Sequence, residues 1–157
     1  MNAPILTESQ LAKALGDERA KGRSIAFANG CFDILHVGHI RYLQDAADEA
    51  DVLVVAVNGD ESVRQLKGEG RPIMNARERA EIISTIRGVS YVTIFDEDTP
   101  AGLLMRLKPD VQCKGTDYTE SSVPEAEIVH SYGGRVAIVG DAKEHSTSAI
   151  LKMMKRI

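Results

Sequence analysis

An α/β fold built on a parallel, doubly wound sheet is predicted by three observations. Short β-branched runs alternate with longer amphipathic segments along the whole chain, the order that gives a parallel sheet with crossover helices. The run Val52–Val57 is apolar throughout, which suits a strand covered on both faces. The polar clusters follow the strand runs, so such a sheet gathers them along its carboxyl edge, where ligands bind.

The elements follow in order. Thr7-Glu-Ser-Gln10 has the form of a capping box, with Leu11, Ala14 and Leu15 at helical spacing behind it and an end near Gly22. Residues 1–22 are expected to form a peripheral helix on a single domain spanning 1–157. Ile25–Ala28 is the first strand, and His39–Ala50 a helix with Ile40, Leu43, Ala46 and Ala47 on one face. Val52–Val57 is the second strand. Asp60 can cap a short helix through Leu66, and Lys67-Gly-Glu-Gly-Arg-Pro72 is a loop with two glycines and a proline. Asn75 caps a helix over Arg77–Arg87, and Tyr91–Phe95 is the third strand. Thr99-Pro100 pairs an N-cap with proline at the first helical position, for a helix to Leu107. Val111–Lys114 is the fourth strand. A looser stretch with Pro124 leads to a short helix ending near Tyr132, then the fifth strand, Arg135–Val139, and a last helix, Ser146–Arg156. About five parallel strands with helices on both faces make a Rossmann-like doubly wound sheet with right-handed crossovers.

Composition bounds the function. Hydrophobic content of 43% and charged content of 27% are those of a globular domain with a good core. A net charge of −4 provides no broad basic surface for nucleic acid, so any polyanion site is local. The longest apolar run is too short to span a bilayer, and the first ten residues lack the basic-then-apolar order of a signal peptide. Cys31 and Cys113 make neither a disulfide framework nor a tetrahedral metal set and read as buried free thiols. A cytoplasmic protein with no membrane or nucleic-acid partner is expected.

The stretch Gly30-Cys-Phe-Asp-Ile-Leu-His-Val-Gly-His-Ile-Arg-Tyr-Leu43 carries the most chemistry. Asn29 and Gly30 turn out of the first strand. His36, Gly38 and His39 then fall where a loop enters a helix, and the N–H groups and dipole there favour an anion. If the helix begins near Val37, a spacing of three puts both imidazoles on one side, and Gly38 lets a ligand approach the backbone. Imidazoles so placed can donate to phosphate oxygens and stabilise charge that builds up during a displacement. Two other readings stay open. One is a pair of capping or core histidines. The other is a metal pair, for which Asp33 is the only nearby carboxylate. Backbone N–H groups of Gly30, Cys31, Phe32 and Asp33 could contact a triphosphate, and Phe32 could equally plug the core. Neither the dinucleotide fingerprint nor the P-loop pattern is present.

The run Gly30–Leu43, with its His36-Val-Gly-His39, resembles the signature of the cytidylyltransferase-like nucleotidyltransferase superfamily. Ser146-Thr-Ser-Ala-Ile150, opening the last helix, resembles that superfamily's second signature, and the likeness covers Ser24 to the C-terminus. Val55-Ala-Val-Asn-Gly-Asp60, Lys67–Pro72, Asp98-Thr-Pro100, Lys108-Pro-Asp110 and Lys114-Gly-Thr-Asp-Tyr118 resemble, more narrowly, the adenylyltransferases that make ADP-heptose. In many bacteria that activity is the C-terminal half of a bifunctional protein with a sugar kinase; here it would stand alone. The resemblance implies transfer of AMP from ATP, accompanied by Mg²⁺, to D-glycero-β-D-manno-heptose 1-phosphate, a step toward the lipopolysaccharide core or a related glycan. The alternative kept beside it is a cytidylyltransferase acting on glycerol 3-phosphate or a similar small phosphoester. A nucleotide-binding module without turnover and a metal-dependent hydrolase are more distant rivals. Two departures from the family pattern stand out: Thr116 where a second glycine is expected, and His145 where a small or flexible residue is expected.

The resemblance assigns catalysis to His36, His39, Lys67 and Arg79. It assigns the nucleotide to Asn29, Gly30, Cys31, Phe32, Gly38, Lys114, Asp117, Ser146 and Thr147, and the acceptor to Asp33, Asn58 and Arg71, with no protein metal ligands. Lys67, as a point charge in a glycine-flanked loop, suits the β- and γ-phosphates. Arg77 and Arg79 open a helix, where a cation needs an anion, either a ligand or Glu78 and Glu81; Arg79 aligns with a superfamily arginine that faces the phosphates. Lys114 could hold the sugar phosphate or the nucleotide, and Asp117 a ribose hydroxyl or a hydrated metal ion. Ser146 and Thr147 add phosphate donors, cap the helix, or do both. Glu125 and Glu127 are read as surface charges. A homodimer or higher homo-oligomer is expected, since dimers are common in this superfamily.

Overall fold

The strand Val52–Asn58 is buried at every position, because helices cover both of its faces. In the computed structural model, which describes residues 1–142 and 146–156, this strand is β2. β1 (Ile25–Gly30), β3 (Tyr91–Phe95), β4 (Val111–Lys114) and β5 (Arg135–Ile138) complete one sheet in the order β3-β2-β1-β4-β5. Every pairing is parallel, and Phe27 of β1 sits between Val54 of β2 and Gln112 of β4. The chain builds outward from β1 to β3, then returns to place β4 on the other side of β1. The strand order therefore turns between β1 and β4, and a crevice opens beyond their carboxyl ends.

The helices are α1 (Glu8–Ala20), α2 (Val37–Ala47), α3 (Asp60–Lys67), α4 (Ala76–Ser84), α5 (Ala101–Leu107), α6 (Ala126–Ser131) and α7 (Thr147–Met154). The period-two alternation of the strands sorts their side chains into two cores. Ala26, Ala28, Leu53, Val55 and Val57 pack with Leu43 and Ala46 of α2 and with Ala80 and Ile83 of α4. Ile25, Phe27, Val52, Val54 and Ala56 pack with Leu11 and Leu15 of α1, with Leu103, Leu104 and Leu107 of α5, and with Val129 of α6. This is the doubly wound architecture that the sequence predicts.

Several element ends differ from expectation. Leu11 and Leu15 are fully buried, so α1 is part of a core layer rather than a peripheral addition. Each contributes about 2 kcal/mol of apolar burial. The predicted Thr7–Gln10 capping box is formed. The chain before it runs along the edge of β3, where Ile5 bridges Val92 and Val92 N–H donates to Pro4 C=O at 3.0 Å. α2 starts two residues earlier than expected, with His36 as its N-cap. α4 stops at Ser84, short of Arg87, and α3 is capped by Gly59 rather than Asp60. No helix among the described residues is long and apolar enough to cross a membrane.

Candidate active site

The loops at the turn in strand order wall a cavity of about 440 Å³. Asn29, Gly30, Cys31, Phe32 and Asp33 reach it from the end of β1, His36, Gly38 and His39 from the start of α2, and Asn58 from the end of β2. Lys67 at the end of α3, Arg71 in the loop after it, and Lys114 and Asp117 at the end of β4 line it too, and Ser146 and Thr147 enter from the start of α7. Every predicted site residue except Arg79 is therefore gathered on one wall-to-wall surface.

The two histidines are locked by the helix end they cap. His36 has extended backbone (φ −130°, ψ 175°), and its Nδ1 accepts the Gly38 N–H at 3.1 Å. His39 Nδ1 accepts the His36 N–H at 3.2 Å. An Nδ1 that accepts a hydrogen bond carries a lone pair there, so each ring bears its proton on Nε2. The rings stack with centroids 3.9 Å apart and planes 26° apart. The capping reading left open by the sequence is thus realised, and it fixes two imidazoles side by side. Phe32 is both core and wall. It is 4% exposed, adopts φ 51°, and sets its ring edge-on to His39 at 5.6 Å. A Cβ on Gly30 would lie 2.9 Å from that ring, so this strand end requires glycine.

Asp33 is positioned differently from its assignment to the acceptor. Its carboxylate is buried and accepts from Arg71 Nε at 2.7 Å, Ile73 N–H at 2.8 Å and Met74 N–H at 3.0 Å. It holds the 71–74 loop against β1. Burial pushes its pKa up, but the Met74 and Ile73 N–H groups and the Arg71 guanidinium outweigh this and leave it below the usual carboxylate value. Asn58 Nδ2 donates to Ser62 Oγ at 2.9 Å. Asn29 Oδ1 is a buried acceptor without a partner among the described residues.

Arg79 is the correction. It is fully buried and absent from the cavity wall. Nη1 donates to Cys31 C=O at 2.6 Å and Asn58 C=O at 2.7 Å, Nε to Met74 C=O at 2.9 Å, and Nη2 to Asp60 Oδ1 at 2.8 Å. Its cationic head is satisfied by carbonyls at the ends of β1 and β2, by Met74 and by Asp60, and it does not line the cavity. The anion that a helix-opening cation needs is Asp60, not Glu78 or Glu81.

Glu125 is the second correction. Read as a surface charge, it is 5% exposed and accepts from Gln112 Nε2 at 3.0 Å. Lys114 Nζ stands 3.8 Å from Glu125 Oε1 and 5.1 Å from the centre of the Tyr118 ring. Glu127 is exposed, as expected. Thr116, the departure from glycine, donates from Oγ1 to Asp141 C=O at 2.8 Å and ties the loops after β4 and β5 together. His145 lies outside the described residues. Ser146 Oγ caps α7 by accepting the Ala149 N–H at 3.0 Å, and Thr147 Oγ1 donates to Ile34 C=O at 2.8 Å, joining α7 to the loop before α2.

Sequence reasoning missed Tyr42 and Tyr118 as wall residues. Tyr42 Oη donates to Cys113 C=O at 2.7 Å. Tyr42 stands one turn beyond His39 on α2, a spacing that was legible. Cys113 is buried, its thiol pushed up to about 12 by burial; Cys31 is half-buried and also raised by burial. Among the described residues no group of three or more His, Cys, Asp or Glu side chains could hold a metal.

The cytidylyltransferase-like family model matches residues 27–155. The "Bifunctional protein HldE" of Geobacter metallireducens is 48% identical over 155 residues, which are 99% of this chain and 32% of that protein. The protein of the same name from Pseudomonas fluorescens is 46% identical over 151 residues, 96% of this chain and 32% of its own length. This chain thus spans about a third of the relatives it matches. A solved structure, the lipopolysaccharide core biosynthesis protein of Thermoplasma volcanium, superposes with TM-score 0.65 at 28% identity, covering 78% of this chain and all of that one. With a family match running from β1 to the end of α7, this chain belongs to the cytidylyltransferase-like family and is a nucleotidyltransferase.

Proposed function

We propose that this chain transfers AMP from ATP to D-glycero-β-D-manno-heptose 1-phosphate, releasing pyrophosphate and forming ADP-heptose. The observation that carries the chemistry is the stacked pair of imidazoles on the cavity wall, whose Nδ1 atoms both accept backbone N–H groups, so that each ring carries its proton on Nε2. The acceptor is supported by the likeness of Lys108–Tyr118 and Lys67–Pro72 to ADP-heptose-forming adenylyltransferases, and by the extended similarity to proteins named HldE.

A phosphate oxygen of the sugar 1-phosphate attacks the α-phosphorus in line. The new P–O bond forms as the bond to the bridging oxygen breaks, and its electron pair leaves with pyrophosphate. The nucleophile is already an anion, so no general base is required. The protein's task is positioning and charge stabilisation. His36 and His39 donate to α-phosphate oxygens, where charge grows. Lys67 and the N-terminus of α7 receive the pyrophosphate. Arg71, held by Asp33, faces the acceptor. Magnesium would be held chiefly by the phosphate oxygens of ATP, with few protein ligands. When bound, the ion neutralises charge on the triphosphate. Action in the cytoplasm and assembly as a homodimer or higher oligomer belong to the same proposal; light scattering reads the latter.

Purified protein is offered ATP or CTP, with heptose 1-phosphate or glycerol 3-phosphate, in the presence of Mg²⁺ and pyrophosphatase. Phosphate release with ATP and heptose 1-phosphate alone is the expected result. Release with CTP and glycerol 3-phosphate overturns the substrate assignment. No release with any pair favours a binding module, and zinc-dependent release without an acceptor favours a hydrolase.

A further inference from the structure

At one corner of the cavity a lysine has its charge offset by a buried carboxylate. Lys114 and Tyr118 face the cavity there, and Lys114 Nζ lies 3.8 Å from the buried Glu125 carboxylate. At that distance the contact is Coulombic rather than a hydrogen bond. It offsets the charge of the ammonium without consuming its protons. Glu125 is itself gripped from behind by Nε2 of Gln112, which is fully buried. Asp117 adds a second carboxylate on the same loop. Tyr118 registers both: after burial, the charges of Asp117 and Glu125 push its phenol up. The Lys114 ammonium and the Glu125 carboxylate together carry no net charge.

Positive potential lies elsewhere, at Lys67 and at the N-termini of α2 and α7. Those two helix ends are joined by the Thr147–Ile34 hydrogen bond. A triphosphate on the helix ends and a phosphoester beside Lys67 use up the positive side. What remains for the Lys114 corner is the uncharged part of the donor substrate.

Resting on the reading that ATP is that substrate, we propose that Gln112, Glu125 and Lys114 form a charge-neutralised donor group that binds an uncharged hydrogen-bond acceptor of the nucleoside, on ribose or base. Glu125 is the positioning residue: it sets the place of the Lys114 ammonium and removes its preference for phosphate. Tyr118 offers the nucleoside an aromatic face beside that ammonium.

Equilibrium binding of ATP and of inorganic tripolyphosphate separates this from a phosphate role and requires no turnover. Glu125→Gln keeps the shape and the Gln112 contact but returns full charge to Lys114. Tripolyphosphate should then bind about three- to tenfold tighter, narrowing the preference for ATP. Lys114→Met combined with Glu125→Gln removes both charges, so no buried carboxylate is left unpaired. It should weaken ATP about tenfold and leave tripolyphosphate as in the wild type. Comparing 2′-deoxy-ATP distinguishes the sources: loss of the Lys114 effect assigns ribose, persistence assigns the base. Thermal melts confirm that both variants fold. Equal weakening of ATP and tripolyphosphate in the double variant overturns the proposal, as does an unchanged ratio in Glu125→Gln. So does a wild type that binds ATP no better than tripolyphosphate. A wild type that binds ATP but makes no ADP-heptose overturns only the assigned reaction.

Discussion

His39 Nδ1 accepts the backbone N–H of His36 at 3.2 Å while the two rings stack 3.9 Å apart. The helix cap and the paired donors are one construction. Ordering both rings is completed during folding, so the donors stand in place before a charge develops between them. The cap also fixes which nitrogen carries the proton, because the α2 backbone supplies donors only to Nδ1.

His39→Ala should lower kcat about a hundredfold, the usual cost of losing one charge-stabilising donor. KM for ATP should change far less, since the interaction strengthens chiefly in the transition state. Steady-state kinetics measure both. A turnover near wild type would remove His39 from the mechanism.

Arg79→Met should act on stability. Its head satisfies three carbonyls and Asp60 in a fully buried position. Removing the guanidinium orphans those carbonyls, for a loss of about 3–5 kcal/mol in urea titrations. A fully stable variant with only weakened nucleotide binding would restore Arg79 to the phosphates.

Asp33→Asn should loosen the 71–74 loop and raise KM for the phosphorylated acceptor. It also carries a pH signature. The folded pKa lies below the reference value of 3.8, so the stability contributed by Asp33 is complete above that value. It is lost as pH falls through the lowered folded value. Below about pH 4 the wild type should therefore lose stability more steeply than the variant, a difference read from denaturant midpoints across an acid series.

Gly30→Ala should damage the site through its neighbour. The added methyl meets the Phe32 ring at 2.9 Å, and that ring abuts His39. A destabilisation of about 1–3 kcal/mol is expected from overpacking, together with a fall in kcat. Unchanged kcat in a folded variant would show that Phe32 does not support His39.

Much of the architecture was legible because periodicity is local. The β2 run, the Thr7–Gln10 box and the Asn75 cap each depend on neighbours within a few residues. The cavity was legible for a topological reason: loops at the carboxyl ends of parallel strands meet at the turn in strand order. Lys67 and Lys114 line one cavity although they stand 47 residues apart in the chain.

What escaped the sequence is burial of charge. The family resemblance puts Arg79 at the phosphates, but its partners Cys31 and Asn58 stand 48 and 21 residues away in the chain, where the sequence gives no sign of them. Glu125 reads as a surface acid because an isolated glutamate usually is one, and only the packing of β4 brings Gln112 to its carboxylate. The N-terminal helix was placed at the periphery because an amphipathic pattern does not say what covers its apolar stripe.

The sequence by itself determined the alternation of strands and helices, the anion-favouring junction at His36–His39 and the family resemblance, all carried by residues close together in the chain. Tertiary structure alone decided which charged groups face the cavity and which support it. That division depends on desolvation, and desolvation is set by distant segments: they bury Arg79, Asp33 and Glu125 while leaving Lys67 at the cavity wall.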